Sequence, residues 1–266
     1  MTVFCCPLCG GGFIKEKSCY RCEKGHSFDR AGGGYVNLLP PSAGQHGDDS
    51  TMLKARRAFL EGGGYTPLAN AIAGLVSSLQ MGKDPTVFDA GCGEGYYTEA
   101  VRKALPRAAV YGVDVAKEAV KMCDKRHMNA DFAAASVYKL PVKNESCDLV
   151  ISVFSPFARQ EFLRILRPGG YLISVIPDAK HLWGLKSILY DTPYENIVAP
   201  YEVEGFTFLS DQKVHFILHL ASKEEILSLY RMTPYCYRTG KEGAKRIEKQ
   251  EHLDTEAAFR ILLYKK

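Results

Sequence analysis

Val87-Phe88-Asp89-Ala90-Gly91-Cys92-Gly93-Glu94-Gly95-Tyr96 is the stretch that decides how this chain folds. An apolar strand runs into a glycine-rich turn introduced by a carboxylate. Downstream, Val110-Tyr111-Gly112-Val113-Asp114 is a second apolar strand that also ends on a carboxylate. This order belongs to doubly wound α/β sheets, which hold an adenosine-containing ligand at such a turn. The glycines alternate as Asp89-x-Gly91-x-Gly93-x-Gly95, which departs from the G-x-G-x-x-G that brings a helix N-terminus onto a pyrophosphate.

A carboxylate at the strand end suits an ammonium group better than a phosphate. S-adenosylmethionine has that ammonium and no phosphate, so it is the expected cofactor. Gly91, Gly93 and Gly95 let backbone approach it without an intervening Cβ. Asp114 is placed to accept both ribose hydroxyls, and Ser136-Val137, leaving the third strand, to read the adenine. Ser152–Pro156 should close the fourth strand above the transfer site, with Ser155 or backbone carbonyls positioning a substrate and Phe154 or Phe157 stacking on it.

Outward from the turn, strands are expected at 86–90, 109–113, 131–134, 147–153 and 170–176, with helices at 96–104, 116–126 and 158–166. Strands separated by helices of this length imply right-handed crossovers and a parallel sheet. Residues 50–60 and a stripe after Pro67 (Leu68, Ile72, Leu75, Val76, Leu79) read as helices. A further helix should run from Pro177 to Leu189, followed by loop-like Asp191–Glu204 and an alternating strand within Phe206–Leu220. Ser222-Lys223-Glu224-Glu225 has the spacing of a capping box, and Phe259–Tyr264 reads as a final strand. Leu166-Arg167-Pro168-Gly169-Gly170-Tyr171 is a turn that recurs in class I methyltransferases, and residues 86–176 as a whole resemble that superfamily.

The 266 residues are 46% hydrophobic and 24% charged, with a formal net charge of +4. They describe a globular chain with a mild basic excess. No apolar run approaches the roughly 18 residues needed to span a bilayer. The start Met1-Thr2-Val3-Phe4-Cys5 lacks the features of a secretory signal, so a cytoplasmic protein without membrane contact is expected. Of nine cysteines, Cys5, Cys6, Cys9, Cys19 and Cys22 crowd the N-terminus. Such concentration points to a metal site, whereas disulfide frameworks spread their cysteines through the fold. Cys6-x2-Cys9-x12-Cys22-x3-His26 supplies two ligand pairs spaced for structural zinc, which could hold together a module poor in aliphatics. Cys19-x2-Cys22 offers an all-thiolate alternative. Gly10-Gly11-Gly12 and Gly25 favour two knuckles on β-hairpins over a ββα finger.

The chain also resembles a specific family, the bacterial 23S ribosomal RNA (guanine-N1)-methyltransferases, which include macrolide-resistance members. The similarity lies in Cys6-Pro7-Leu8-Cys9, Cys22–His26, Phe28-Asp29, Gly34–Pro40, Gly47-Asp48, Met52–Leu60, Tyr65-x-Pro67-Leu68, Asp89–Thr98, Pro177–Leu182 and Met232-Thr233-Pro234. It covers about residues 6 to 240, and the last twenty-five or so match no motif. The resemblance implies zinc on Cys6, Cys9, Cys22 and His26, and cofactor contacts at Tyr65, Tyr97, Thr98 and His181. Taken without it, Tyr65 reads as core packing and His181 as surface. The resemblance further implies a homodimer whose zinc modules clasp a 23S ribosomal RNA hairpin.

The expected fold is therefore α/β, a class I (Rossmann-like) methyltransferase with a mostly parallel sheet plus a small N-terminal zinc-binding β module. Its parts are expected at 1–35 (zinc-binding, RNA-recognising), 36–65 (linker and connecting helix) and 66–266 (methyltransferase). Cations outnumber carboxylates among residues 1–30, and Lys54, Arg56 and Arg57 cluster on one helix. Lys15, Lys17, Arg21, Lys54, Arg56 and Arg57 are accordingly expected to face RNA. A small-molecule methyltransferase whose zinc module docks a protein is the alternative that the residues leave open.

Overall fold

Strand by strand, side chains alternate between two buried layers, and this alternation sets the architecture. In the computed structural model, residues 2–32, 34–40, 47–198 and 201–266 are described. Strands β1 (Phe13–Lys15), β2 (Cys19–Cys22) and β3 (Ser27–Asp29) form a three-stranded antiparallel sheet. Next come β4 (Val36–Asn37), α1 (Ser50–Glu61), α2 (Thr66–Ser78), β5 (Thr86–Ala90), α3 (Tyr96–Ala104), β6 (Ala109–Asp114), α4 (Lys117–Asp124) and β7 (Asp131–Ala134). The chain continues through β8 (Cys147–Val153), α5 (Arg159–Ile165), β9 (Leu166–Pro177), α6 (Trp183–Leu189), β10 (Thr207–Leu220), α7 (Lys223–Arg231), α8 (Tyr235–Arg238), α9 (Lys241–Ile247) and β11 (Leu253–Lys265).

The large sheet has the order β10-β11-β9-β8-β5-β6-β7-β4. The ladders from β4 to β9 are parallel, and β11 runs antiparallel to both β9 and β10. From β5 the chain winds outward through β6 and β7, then returns to the other side of β5 as β8. The carboxyl ends of β5 and β8 therefore flank a topological switch point, where open α/β sheets bind ligands.

The two faces of the sheet carry different cores. Val87, Leu149, Ile151 and Ile173 pack on one side with Leu68, Ile72, Val76 and Leu185 from the helices. Phe88, Tyr111, Val150 and Leu172 face the other side, which the N-terminal module covers together with α5. Phe4, fully buried, meets Tyr20, Phe88 and Tyr111 edge-on at 6.3, 6.5 and 5.5 Å. The module, expected to lack a core of its own, thus shares one with the main sheet.

Other differences from expectation are local. Val36–Asn37, assigned to a linker, pairs in parallel with Ala133–Ala134 and extends the sheet edge. The expected turn at Arg167–Gly170 lies inside β9, because Leu166 already pairs with Cys147 before a register shift. The final strand begins at Leu253, earlier than Phe259, since its first half completes a long hairpin ladder with β10. Helices α8 and α9 were not foreseen. Residues 41–46 of the expected linker lie outside the described residues. Where local chemistry rules, sequence and structure agree: Ser222 with Glu225 forms the capping box of α7, and the helix expected over 50–60 is α1, at whose start Asp49 accepts from the Thr51 and Met52 amides.

Candidate functional site

At the end of β5 the backbone makes a turn that only glycine takes readily. Gly91, Gly93 and Gly95 have φ of +88°, +55° and +88°, the left-handed region that Cβ-bearing residues avoid. The Gly91 and Cys92 amides donate to the Val113 carbonyl, both at 2.9 Å, tying the turn to β6. Asp114 completes the tie, accepting from Gly93 N at 2.9 Å and Ala116 N at 2.8 Å. Each of its carboxylate oxygens keeps lone-pair capacity for a further donor.

Asp89 is 1% exposed. Its Oδ2 accepts from Thr98 Oγ1 at 2.6 Å, while its Oδ1 is buried with no hydrogen-bond partner among the described residues. Burial pushes the carboxyl up to about 7, with Thr98 opposing the shift and Asp114 adding to it. A bare buried carboxylate oxygen is costly unless a donor arrives. The amino-acid ammonium of S-adenosylmethionine is such a donor, and at Gly93, where a Cβ would meet only Arg56 Nη1 at 3.8 Å, the backbone lies open to a ligand, whereas Ser155 stands against Gly91, and Met128 and Cys123 against Gly95. On these grounds the residues present fit that cofactor.

Tyr65 and His181, far apart in sequence, meet here. The Tyr65 hydroxyl lies 3.4 Å from His181 Nε2, and both rings pack on Phe259 at 4.8 and 4.6 Å. His181 Nδ1 accepts from Ala258 N at 3.3 Å, which leaves the ring proton on Nε2, facing Tyr65. Burial, helped by the Lys186 charge, takes the imidazole down to about 3, so it stays neutral. The surface placement that His181 suggests when read alone is corrected: it is buried. Tyr97 stands nearby, its buried hydroxyl unpartnered among the described residues and its ring 6.2 Å from Phe154. Ser136 and Val137 leave β7 immediately after Ala135, whose amide donates to the Asp114 carbonyl at 3.0 Å.

Ser152–Pro156 closes over the glycine turn. A Cβ on Gly91 would stand 2.1 Å from Ser155 Oγ. Phe154 has φ of +55°, which turns its half-exposed ring toward Tyr97 and Phe259. Phe157 instead packs on Phe162 and Tyr264. Inside the glycine motif, Glu94 is 1% exposed and Arg126 Nη2 donates to it at 2.6 Å. The sequence reading does not include this pair, whose one sequence signal is an acid set between Gly93 and Gly95.

The expected RNA-facing cations separate. Lys17 and Lys54 are exposed. Lys15 pairs with Asp131, and Arg21 with Glu16 at 3.2 Å. Arg56 pairs with Asp48 and turns toward Gly93, while Arg57 reaches Glu61 at 2.7 Å.

In the N-terminal module, the Cys6, Cys9, Cys22 and His26 ligand atoms all lie within 4.8 Å of one another. Two tight turns present them: Gly10 N donates to Cys6 O and Gly25 N to Cys22 O, with φ of +71° and +81° at the glycines. A tetrahedral zinc ion at about 2.3 Å from sulfur and 2.1 Å from nitrogen sets S–S edges of about 3.8 Å and S–N edges of about 3.6 Å. The separations are 3.7 Å for Cys9–Cys22, and 3.5 and 3.4 Å from His26 Nδ1 to Cys6 and Cys22. These residues fit zinc. Cys19 points away, its thiol 3.3 Å from Glu16 Oε2.

Comparison with known proteins adds two family models. One, described as a methyltransferase domain, matches residues 87–170, and another, described as RlmA, N-terminal, matches residues 4–44. A protein of Bacillus subtilis (strain 168), provisionally named 23S rRNA (guanine-N(1)-)-methyltransferase YxjB, is 31% identical across 98% of this chain and 96% of its own length. A Micromonospora griseorubida protein with the same provisional function is 31% identical across the same shares, 98% and 96%. The 23S rRNA (guanine(748)-N(1))-methyltransferase of Streptomyces fradiae is 36% identical over 66% of this chain and 64% of its own.

Proposed function

Since this chain belongs to the 23S rRNA (guanine-N1)-methyltransferase family, we propose that it transfers a methyl group from S-adenosylmethionine to N1 of a guanine in a 23S ribosomal RNA hairpin. One observation carries the reading: the buried Asp89 oxygen at the switch point, unpartnered among the described residues and framed by three left-handed glycines.

When bound, the cofactor supplies a methyl group on a sulfonium, open to in-line attack. The protein aligns donor and acceptor and keeps water out. In this reading Asp89 receives the cofactor's ammonium, and Thr98 fixes the carboxylate that does so. Asp114 takes the ribose while bracing Gly93 and Ala116, and Ser136-Val137 borders the adenine. Tyr65, Tyr97 and the neutral His181 wall the methionine side. Phe154, at the rim, stacks on a guanine swung out of its hairpin, since bases modified by enzymes leave their stack. Zinc on Cys6, Cys9, Cys22 and His26 supplies the fold of the arm that meets RNA, where Lys15, Lys17 and Arg21 offer positive charge, joined by Lys54 on α1. The assembly proposed is a cytoplasmic homodimer, which sedimentation of the full chain checks. Among the described residues no helix is long and apolar enough to cross a membrane.

The test uses the whole protein, labelled S-adenosylmethionine and protein-free 23S ribosomal RNA. N1-methylation blocks the guanine's pairing edge, so primer extension should halt beside one guanine and the label should sit in RNA. Label found only in small molecules, with no halt, would remove the proposal. Comparing macrolide sensitivity of cells with and without the protein tests the further link to that drug class.

A further inference from the structure

Arg56 and Arg57 are sequence neighbours, and one helical step sets their side chains about 100° apart. Arg57 reaches across the helix surface to Glu61 and, at 3.9 Å, to the buried Glu94. Arg56 goes the other way. Its guanidinium pairs with Asp48, donates to the Met232 carbonyl at 3.4 Å, and puts Nη1 3.8 Å from where a Gly93 Cβ would stand. The side chain is 27% exposed. Burial raises the Asp114 carboxyl and the Tyr65 and Tyr97 hydroxyls, and the Arg56 charge opposes the rise in all three. This cation thus sits among cofactor-site groups.

An α-amino acid end carries an ammonium and a carboxylate on one carbon, so a site that receives the first must also meet the second. Asp89 supplies for the ammonium an oxygen that has no partner among the described residues. Near the same turn, Gly95 is the N-cap of α3, which has no side-chain cap among the described residues. Resting on the cofactor reading above, we propose that Arg56 binds the α-carboxylate of the cofactor's methionine end, and that its task is cofactor recognition, with no part in gripping RNA phosphate. A guanidinium has five N–H donors, and the contacts recorded among the described residues, to Asp48 and Met232, leave donors for a carboxylate. Asp48, Asp89 and Asp114 make the surroundings acidic, which suits a ligand bearing sulfonium and ammonium. Arg56 matches its one anionic group. Asp48 holds the guanidinium in place.

The experiment titrates the full-length protein with S-adenosylhomocysteine and, separately, with 5′-methylthioadenosine, which lacks the amino-acid end, followed by calorimetry. A third titration uses an RNA hairpin. Arg56→Gln should weaken S-adenosylhomocysteine about tenfold to a hundredfold, the range for one charged hydrogen bond. Methylthioadenosine and RNA affinities should stay within about twofold on the same scale, and Arg56→Lys should recover part of the loss. Equal weakening of both nucleosides overturns the proposal, as does a loss of RNA affinity with S-adenosylhomocysteine unchanged. A wild-type protein that binds neither nucleoside would instead remove the methyltransferase reading itself, a result separate from failure of the Arg56 role.

Discussion

Asp89 brings a charge into a place that does not solvate it, and the consequences can be followed with pH. Its folded value of about 7 lies above the value of an unfolded aspartate, near 3.9. For the free protein, the stability this group contributes is therefore complete below about pH 4 and lost as pH rises through about 7. Binding has the opposite sense, because an incoming ammonium favours the ionised carboxylate. Below pH 7 a proton must leave Asp89 as the cofactor enters, so affinity should fall up to about tenfold per pH unit as pH drops. Calorimetry with S-adenosylhomocysteine at pH 6, 7 and 8 reads this. Asp89→Asn should weaken binding at pH 8 and abolish the slope; an unchanged slope in that variant would place the titration elsewhere. Asp89 and its glycines were legible in the sequence because a turn's backbone demands are local. Whether His181 is buried was not legible, since its partners Tyr65 and Phe259 come from distant segments.

Elements whose ends are satisfied by their own residues were also legible. In α7, Ser222 accepts from Glu225 N at 3.3 Å and Glu225 Oε2 accepts from Ser222 N at 3.2 Å. Ser222→Ala should cost about 1 kcal/mol of stability, measured as a shifted urea midpoint with an unchanged slope. The two zinc knuckles follow the same logic, because each ligand pair lies within one turn and the metal closes the span between them. Cys9→Ser should lower bound zinc, by elemental analysis, well below that of the intact protein. Cys19→Ser should leave it unchanged, since that thiol faces Glu16. Equal metal loss in both variants would reopen the ligand assignment. The two-residue β4 carried no such signal: Val36–Asn37 is too short for a period, and its pairing partner lies almost a hundred residues away on β7.

Across the whole molecule, the metal module and the catalytic sheet share one core, with Phe4 at their junction and Lys15 paired to Asp131 at its edge. Phe4 is fully buried between Tyr20 of the module and Phe88 and Tyr111 of the sheet. Phe4→Ala should cost about 3–5 kcal/mol. Because the core is shared, chelating the zinc should lower a single cooperative melting transition, followed by calorimetric scanning. Two separated transitions would show that module and sheet unfold independently. The alternating strands and helices, the cofactor turn, the capping box of α7 and the spacing of the zinc ligands were all legible before folding. Each of these rests on bonds and dihedrals within a few residues of chain. Only the tertiary structure decided that the module shares a core with the sheet, that His181 is neutral beside Tyr65, and that Arg56 turns toward Gly93 while Lys54 stays in solvent. Those outcomes depend on which distant atoms arrive together, and burial, the term that sets their charge and partners, exists only once the chain has closed on itself.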